Sequence, residues 1–192
     1  MKTTMILLGG VPGTGKTTLA YQLALYFHVD KVISLDILKE ATKEYIPFKD
    51  CPYLYTTTHE AYQIESLDPI HGFKKHCQII QDFLDHLLAK MTDERAIIVE
   101  GAQLTPDFLG HIDLEKFTPI YFNLYSHSAN TLLNRYEMKN KIRTYHWAEN
   151  IETIIQIQKY LLTFSKVNHC SIDRPLLFER ISEKIKPYME ET

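Results

Sequence analysis

The segment from Gly10 to Thr17 fits the pattern G-x-x-x-x-G-K-[ST] without a mismatch. An apolar run at residues 5–8 precedes it, and apolar residues at helical spacing follow it over residues 16–27. Glycines allow such a loop to wrap around a polyphosphate, because backbone N–H groups then point inward and the next helix presents its positive dipole end. The order of strand, loop and helix favours a phosphate-binding P-loop, or Walker A motif, over a glycine-rich turn without a ligand.

The same motif predicts roles for individual side chains. Lys16 is expected to reach the β- and γ-phosphates of a nucleotide, and the Thr17 hydroxyl is expected to coordinate Mg²⁺. ATP with Mg²⁺ is therefore the expected ligand pair. The residues predicted to contact the nucleotide are Gly10, Val11, Pro12, Gly13, Thr14, Gly15, Lys16, Thr17 and Thr18.

Strands and helices alternate along the whole sequence. Apolar runs predict strands at 5–8, 31–34, 96–101, 118–124 and 169–172, and helical periodicity predicts helices at 16–27, 37–45, 57–66, 72–91, 128–138 and 148–164, with a further helix near the C-terminus. Because parallel strands need long crossover connections, this order predicts an α/β protein with helices on both faces of a parallel sheet of about five strands. We therefore expect a three-layer P-loop NTPase fold. Since no Gly- or Ser-rich linker interrupts the sequence, residues 1–192 are interpreted as one domain.

Two segments of this domain are expected to surround the reacting groups. Residues 48–92, between the second and third predicted strands, are interpreted as a largely helical insertion that binds a phosphoryl acceptor. Residues 135–146, after the fourth predicted strand, are interpreted as a short lid that closes over the phosphates.

Two carboxylates stand at the carboxyl ends of predicted strands, where ligands bind in open α/β sheets. Asp36 can accept a proton from an attacking hydroxyl or hold the acceptor in line, although Asp at this position could also cap the following helix. Glu100 ends a fully apolar strand that we place beside the P-loop strand, where an acid can hold the magnesium ion or its water. The alternative for Glu100 is a solvated carboxylate that caps the turn at Gly101.

Cations are concentrated in the predicted lid. Arg135 and Arg143, with Lys139 and Lys141 between them, could stabilise the charge that develops on the transferring phosphoryl group. The alternative is a solvated basic helix face with acidic partners on the same helix. We expect Lys16, Asp36, Arg135 and Arg143 to be the catalytic residues.

Bulk composition argues against several classes of partner. The formal net charge of −3 provides no excess of cations, so nucleic acid is not expected as a partner. The three cysteines are far apart and lack a CxxC spacing, which indicates neither a disulfide framework nor a zinc site. The apolar run at the N-terminus is shorter than a signal peptide or membrane span requires, so we expect a cytoplasmic protein without membrane contact.

Several short segments, in sequence order, resemble the 2-phosphoglycerate kinase family of small-molecule P-loop kinases. The P-loop is matched by GGVPGTGKTT, and the family pattern I-S-x-D-x-x-[RK]-E is similar to ISLDILKE. Further on, EGAQLTP resembles E-G-x-H-x-x-P, with Gln103 at the position of the His. The matching segments are residues 9–18, 33–40, 69–73, 100–106, 145–151 and 157–161.

The resemblance implies a nucleoside-monophosphate-kinase-like core, ATP and Mg²⁺ as cosubstrates, and a small-molecule acceptor whose hydroxyl lies near Asp36. Lys39 and Gln103 become further candidates for contact with that acceptor. The expected activity is transfer of a phosphoryl group to a small molecule, such as 2-phosphoglycerate. The alternatives are a zeta-toxin-like kinase of a nucleotide sugar, a nucleoside monophosphate kinase, and an ATP-binding regulatory protein that is not a kinase.

Overall fold

The computed structural model describes residues 2–91, 94–140 and 147–190, and of residues 139 and 140 it describes the backbone. The described residues form five strands, β1 (Thr3–Gly10), β2 (Lys31–Ser34), β3 (Ala96–Glu100), β4 (Phe117–Tyr125) and β5 (Asn168–Ser171). They make one sheet in which all strands are parallel and lie in the order β2-β3-β1-β4-β5. The predicted parallel sheet of about five strands is confirmed, and β3 lies directly beside the P-loop strand, as predicted for the strand that carries Glu100.

Successive side chains of the central strand enter two separate hydrophobic cores. Met5 and Leu7 belong to one core, and Ile6 and Leu8 belong to the other. Because side chains alternate between the faces of a strand, the continuous apolar run at residues 5–8 of β1 requires a covering layer on each face of the sheet. This alternation is the physical reason for the three-layer architecture.

Helices supply both covering layers. The helices are α1 (Lys16–Phe27), α2 (Leu35–Lys43), α3 (Pro69–Leu88), α4 (Ala129–Asn140), α5 (Ile151–Leu161) and α6 (Leu177–Glu190). Apolar residues of α1, α4, α5 and α6 pack into the core that contains Ile6, whereas Leu35 and the C-terminal half of α3 pack into the core that contains Met5. The predicted nucleoside-monophosphate-kinase-like α/β fold is confirmed.

One predicted helix is wrong. Residues 57–66 form turns and a short 3-10 helix, Ala61–Gln63, instead of an α-helix. The Thr57 side chain donates to the Glu60 carboxylate, and Ser66 adopts a positive φ of 53°, which ends any helical path. The next helix begins earlier than predicted, at Pro69, because the Asp68 carboxylate caps its first turn.

Within the described part of the chain, none of the helices combines the length and the apolar character that crossing a bilayer would need.

Candidate active site

A pocket of about 390 Å³ opens at the carboxyl ends of β1 and β3, where the P-loop enters α1. Parallel pairing places Leu8 opposite Glu100, so that the loop after β1 and the carboxylate at the end of β3 reach the same edge of the sheet. The pocket is lined by Pro12, Gly13, Gly15, Lys16, Thr17, Thr18, Asp36, Glu100, Ala102, Arg135, Met138 and Trp147. Most of the predicted phosphate-contacting and catalytic residues that the structure describes therefore surround one cavity.

The P-loop lysine is buried within its own loop. The Lys16 ammonium is 2.9 Å from the Val11 carbonyl oxygen and 3.5 Å from the Thr14 hydroxyl oxygen, and both groups accept from it. Lys16 is 7% exposed and lies in the first turn of α1, at the positive end of the helix dipole. A fixed cation at the entrance of a helix is an arrangement that suits anionic oxygens.

Helix α4 braces the P-loop from outside the motif. The Tyr136 hydroxyl donates to the Pro12 carbonyl at 2.9 Å, and the Arg135 guanidinium donates to the Gly13 carbonyl at 3.2 Å. Gly13 has a φ of 78°, and a Cβ atom there would overlap the Tyr136 ring, so a side chain at this position is excluded by conformation and by space. Trp147 packs edge-on against Tyr136 and also lines the pocket. Neither aromatic residue was predicted from the sequence.

The two predicted metal-side residues lie in contact. The Thr17 hydroxyl donates to Glu100 Oε2 at 3.2 Å, and Glu100 is 3% exposed although it carries a carboxylate. Two oxygen ligands beside a phosphate cradle suit Mg²⁺, which retains several waters and needs few protein ligands. No cluster of three or more His, Cys, Asp or Glu side chains suited to a metal ion occurs among the residues that the structure describes. The residues present therefore fit a magnesium ion shared with a nucleotide better than a metal held by protein alone.

Asp36 lies in the first turn of α2 and is not the capping residue, which is Ser34. The Gln103 amide donates to Asp36 Oδ1 at 2.8 Å, so a side chain from the loop after β3 holds this exposed carboxylate. Asp36 lines the pocket beside Thr17 and Glu100. The capping interpretation is therefore wrong, and the carboxylate is available to a molecule in the pocket.

Other predicted residues lie away from the lining of the pocket or outside the described residues. Lys39 lies one turn beyond Asp36 and is buried; its ammonium donates to the Thr56 carbonyl at 3.2 Å and lies 3.6 Å from the Glu40 carboxylate. Neither Lys39 nor Gln103 lines the pocket. Arg143 and the second half of the predicted lid, residues 141–146, lie outside the described residues.

Two buried histidines lie in the segment at residues 48–92, and a special environment for either was not predicted from the sequence. His59 and His76 are 2% and 0% exposed, and one ring nitrogen of each, Nδ1 and Nε2 respectively, has no hydrogen-bond partner among the residues that the structure describes. Burial lowers the pKa of both imidazoles to about 4, and the positive charge of Lys39 adds to this shift. Both rings are therefore neutral in the folded protein near pH 7.

We expect these histidines to make the fold sensitive to mild acid. Their folded-state pKa lies below the value of about 6.5 for an unfolded histidine, so their stabilising contribution is complete above pH 6.5 and is lost as the pH falls toward 4. Each histidine should contribute on the order of 3 kcal/mol over this window. Urea unfolding of the wild type and of His76→Gln between pH 7.5 and 4.5 measures the difference in slope.

The exposed His86 provides the matched control for this experiment. The variant His86→Gln should retain the wild-type dependence of the unfolding free energy on pH, while His76→Gln should show a flatter one. Equal slopes for all three proteins would contradict buried neutral histidines as the cause.

Fold and site together place the chain among proteins with the architecture of small-molecule P-loop kinases. The structure superposes on a shikimate kinase from Bacteroides thetaiotaomicron with a TM-score of 0.56 and 19% identity, covering 95% of this chain and 98% of the other. It also superposes on a gluconokinase from Sinorhizobium meliloti 1021 with a TM-score of 0.54 and 14% identity, covering 95% of each chain. At sequence identities this low, the superpositions show a shared fold and no more.

In its sequence, the chain is similar to one particular kind of small-molecule kinase. The chain is 24% identical over 200 residues to a 2-phosphoglycerate kinase of Methanococcus maripaludis strain C6, covering 97% of this chain and 63% of that protein. A 2-phosphoglycerate kinase of Pyrococcus furiosus is 25% identical over 198 residues, covering 98% of this chain and 65% of its own length. No protein-family model matches the chain. The chain therefore resembles 2-phosphoglycerate kinases over nearly all its residues and spans under two thirds of their length.

Proposed function

We propose that the chain is an ATP- and Mg²⁺-dependent phosphotransferase that acts on a hydroxyl group of a small molecule. The observation that carries this proposal is the position of Asp36. Its carboxylate is held by Gln103 and lines the same pocket as the P-loop lysine and the Thr17–Glu100 pair. A cation for the phosphates and a carboxylate for an attacking hydroxyl are two of the groups that support in-line phosphoryl transfer.

The nucleotide is proposed to lie across the P-loop, with its base on the far side of Arg135. A second depression of about 300 Å³ adjoins the first there, and Thr18 and Arg135 line both. Its outer wall is formed by Leu19, Leu177 and Phe178, and apolar side chains of this kind suit the face of a purine. Bound in this way, the phosphates would lie against the loop amides and the Lys16 ammonium.

In the proposed reaction, the acceptor oxygen attacks the γ-phosphorus of ATP and forms a new P–O bond. The bond from the γ-phosphorus to the β–γ bridging oxygen breaks, ADP leaves, and the hydroxyl proton passes to the Asp36 carboxylate. Lys16 and Arg135 stabilise the negative charge on the transferring oxygens. Mg²⁺, held through Thr17 and Glu100, would neutralise charge on the β- and γ-phosphates.

The acceptor is proposed to enter from the side of α2 and the segment at residues 48–92. Asp36 lies in the first turn of α2 and lines the pocket, and the buried cation Lys39 lies on the next turn of the same helix. The relatives named 2-phosphoglycerate kinase make that compound the first acceptor to test. Residues 135–146 are proposed to form the lid, anchored to the P-loop through Arg135 and Tyr136.

Acceptor-dependent release of ADP tests the proposal. Purified protein with ATP and Mg²⁺ is incubated with 2-phosphoglycerate, shikimate, gluconate, nucleoside monophosphates and a nucleotide sugar, and ADP is measured against a sample without acceptor. We expect one acceptor to increase ADP formation at least about tenfold, and the phosphorylated product to be detected by mass spectrometry.

The outcome separates the competing classes. Acceleration by a nucleoside monophosphate or by a nucleotide sugar would assign the chain to the corresponding kinase class. Equal ADP release with and without every acceptor would contradict a kinase and favour a regulatory ATP-binding protein. Trp147, the single tryptophan of the chain, lines the pocket, so quenching of its fluorescence reports nucleotide binding independently of turnover.

A further inference from the structure

The loop between β3 and the following 3-10 helix (Pro106–Gly110) is attached on two sides to the surrounding fold. On one side, the Gln81 amide of α3 donates to the Gln103 carbonyl at 2.8 Å and to the Thr105 hydroxyl at 2.9 Å. On the other side, the Tyr121 hydroxyl of β4 donates to the Leu104 carbonyl at 2.6 Å. These contacts fix the backbone of the residue whose side chain holds Asp36.

These hydrogen bonds lie among buried side chains, so breaking one of them is costly. Gln81, Gln103 and Tyr121 are 9%, 2% and 3% exposed, so a polar atom released here would not regain a water partner easily. Burial raises the pKa of the Tyr121 phenol, which therefore remains a protonated donor. A Cβ atom at position 9 would overlap the Tyr121 hydroxyl, so Gly9 leaves room for the bond to Leu104.

Asp36 itself is exposed, and an exposed carboxylate can adopt several rotamers unless a neighbour selects one. The bond from Gln103 Nε2 to Asp36 Oδ1 selects one, and Gln103 can offer this donor only if its own backbone stays in place. Gln81 is therefore connected to Asp36 through two hydrogen-bonded steps, from α3 to the loop and from the loop to α2.

We propose that Gln81 is a positioning residue for phosphoryl transfer, which acts by holding Gln103 so that Gln103 holds the Asp36 carboxylate toward the acceptor. This inference rests on the proposed function of Asp36. Helix α3 belongs to the segment at 48–92 that is proposed to enclose the acceptor. The proposal gives this helix a second role, because Gln81 also fixes the group that receives the proton.

The variant Gln81→Met tests the proposal, because methionine retains the length of the side chain and removes both donors. We expect acceptor-dependent kcat to fall by about tenfold to a hundredfold, while the Kd for MgATP, measured by Trp147 fluorescence, changes less than about twofold.

Gln158 provides the matched control. It is a buried glutamine of α5 that is 7% exposed and makes two hydrogen bonds, at 3.0 and 2.9 Å, to the backbone N–H and carbonyl of Ser126. Gln158→Met should lower Tm about as much as Gln81→Met without reducing acceptor-dependent kcat. An equal loss of kcat in both variants would overturn the proposal, because it would show a general effect of destabilisation.

A double-mutant cycle tests whether Gln81 acts on Asp36 through Gln103. If Gln81 acts through Gln103, the double variant Gln81→Met/Gln103→Met should have the same kcat as Gln103→Met alone. Multiplicative losses would overturn the proposed connection.

A second readout keeps this inference separate from the proposed function. Backbone amide exchange over residues 101–105 should accelerate in Gln81→Met and not in Gln158→Met, whether or not any acceptor is turned over. A wild type without acceptor-dependent ADP release would contradict the kinase, whereas unchanged exchange in Gln81→Met would contradict the positioning role itself.

Discussion

Replacing Lys16 with methionine should reduce acceptor-dependent phosphoryl transfer by about 10²- to 10³-fold, the loss that follows removal of one fixed group that stabilises transition-state charge. Methionine preserves most of the side-chain volume in a position that is 7% exposed, so the core beneath the loop should remain packed. The Val11 carbonyl would lose its donor from Lys16, at a cost of about 1 kcal/mol in stability. The expected loss of activity is therefore much larger than the loss of stability would produce.

Initial rates of ADP release at saturating acceptor, with Tm recorded in parallel, measure this effect. Lys186→Met, at an exposed position on α6, is the control and should behave as wild type. Lys16→Arg should remain strongly impaired, because a planar guanidinium does not reproduce the compact ammonium that donates to the Val11 carbonyl and the Thr14 hydroxyl. If Lys16→Met retained more than about a tenth of the wild-type rate, the P-loop would not be contributing the phosphate-side cation.

The parts of the site that were predicted from the sequence depend on local chain geometry. The P-loop, its strand and its helix are adjacent in sequence, so the spacing of glycines and Lys16 defines them. Glu100 was placed beside the loop because a buried apolar strand ending in a charge belongs at the carboxyl edge of a parallel sheet, and the pairing of β1 with β3 brings it to Thr17.

The parts that were missed depend on contacts between distant residues. Tyr136 and Pro12 are 124 positions apart, and local periodicity does not reveal which tyrosine on a helix reaches a loop. Gln81 gave a weak signal, since it lies at helical spacing among Cys77, Ile80 and Leu84 and therefore stands on a buried face. A polar residue on such a face requires partners, but the sequence does not identify the loop at 101–105 as their source.

The incorrect helix at 57–66 has a related cause. Propensity and spacing favoured a helix, whereas the Thr57–Glu60 bond and the turn at Ser66 set a compact path across α3. The buried His59 belongs to this path, so an error in secondary structure also concealed an unusual group in the site's surroundings.

Replacing Asp36 with asparagine should reduce acceptor-dependent kcat by about 10²- to 10³-fold, because loss of the general base typically has an effect of this size. Asparagine retains the shape of the side chain and an oxygen that can accept from the Gln103 amide, so the geometry behind the pocket is preserved. The lost charge lies in the first turn of α2, where its favourable interaction with the helix dipole is worth about 0.3–1 kcal/mol. Folding should therefore change little, as the Tm of the purified variant will measure.

Binding of MgATP distinguishes an acceptor-side carboxylate from a metal-side one. If Asp36 serves the acceptor, Asp36→Asn should bind MgATP with wild-type affinity by Trp147 fluorescence, and Glu100→Gln should bind it more weakly because Glu100 contacts Thr17. Asp30→Asn, at an exposed position before β2, is the control for a change of net charge. Equal losses of nucleotide binding and transfer in Asp36→Asn would move this carboxylate to the metal side. If turnover by Asp36→Asn stayed within about threefold of wild type, Asp36 would not be the proton acceptor, and the proposed kinase mechanism in this pocket would be contradicted.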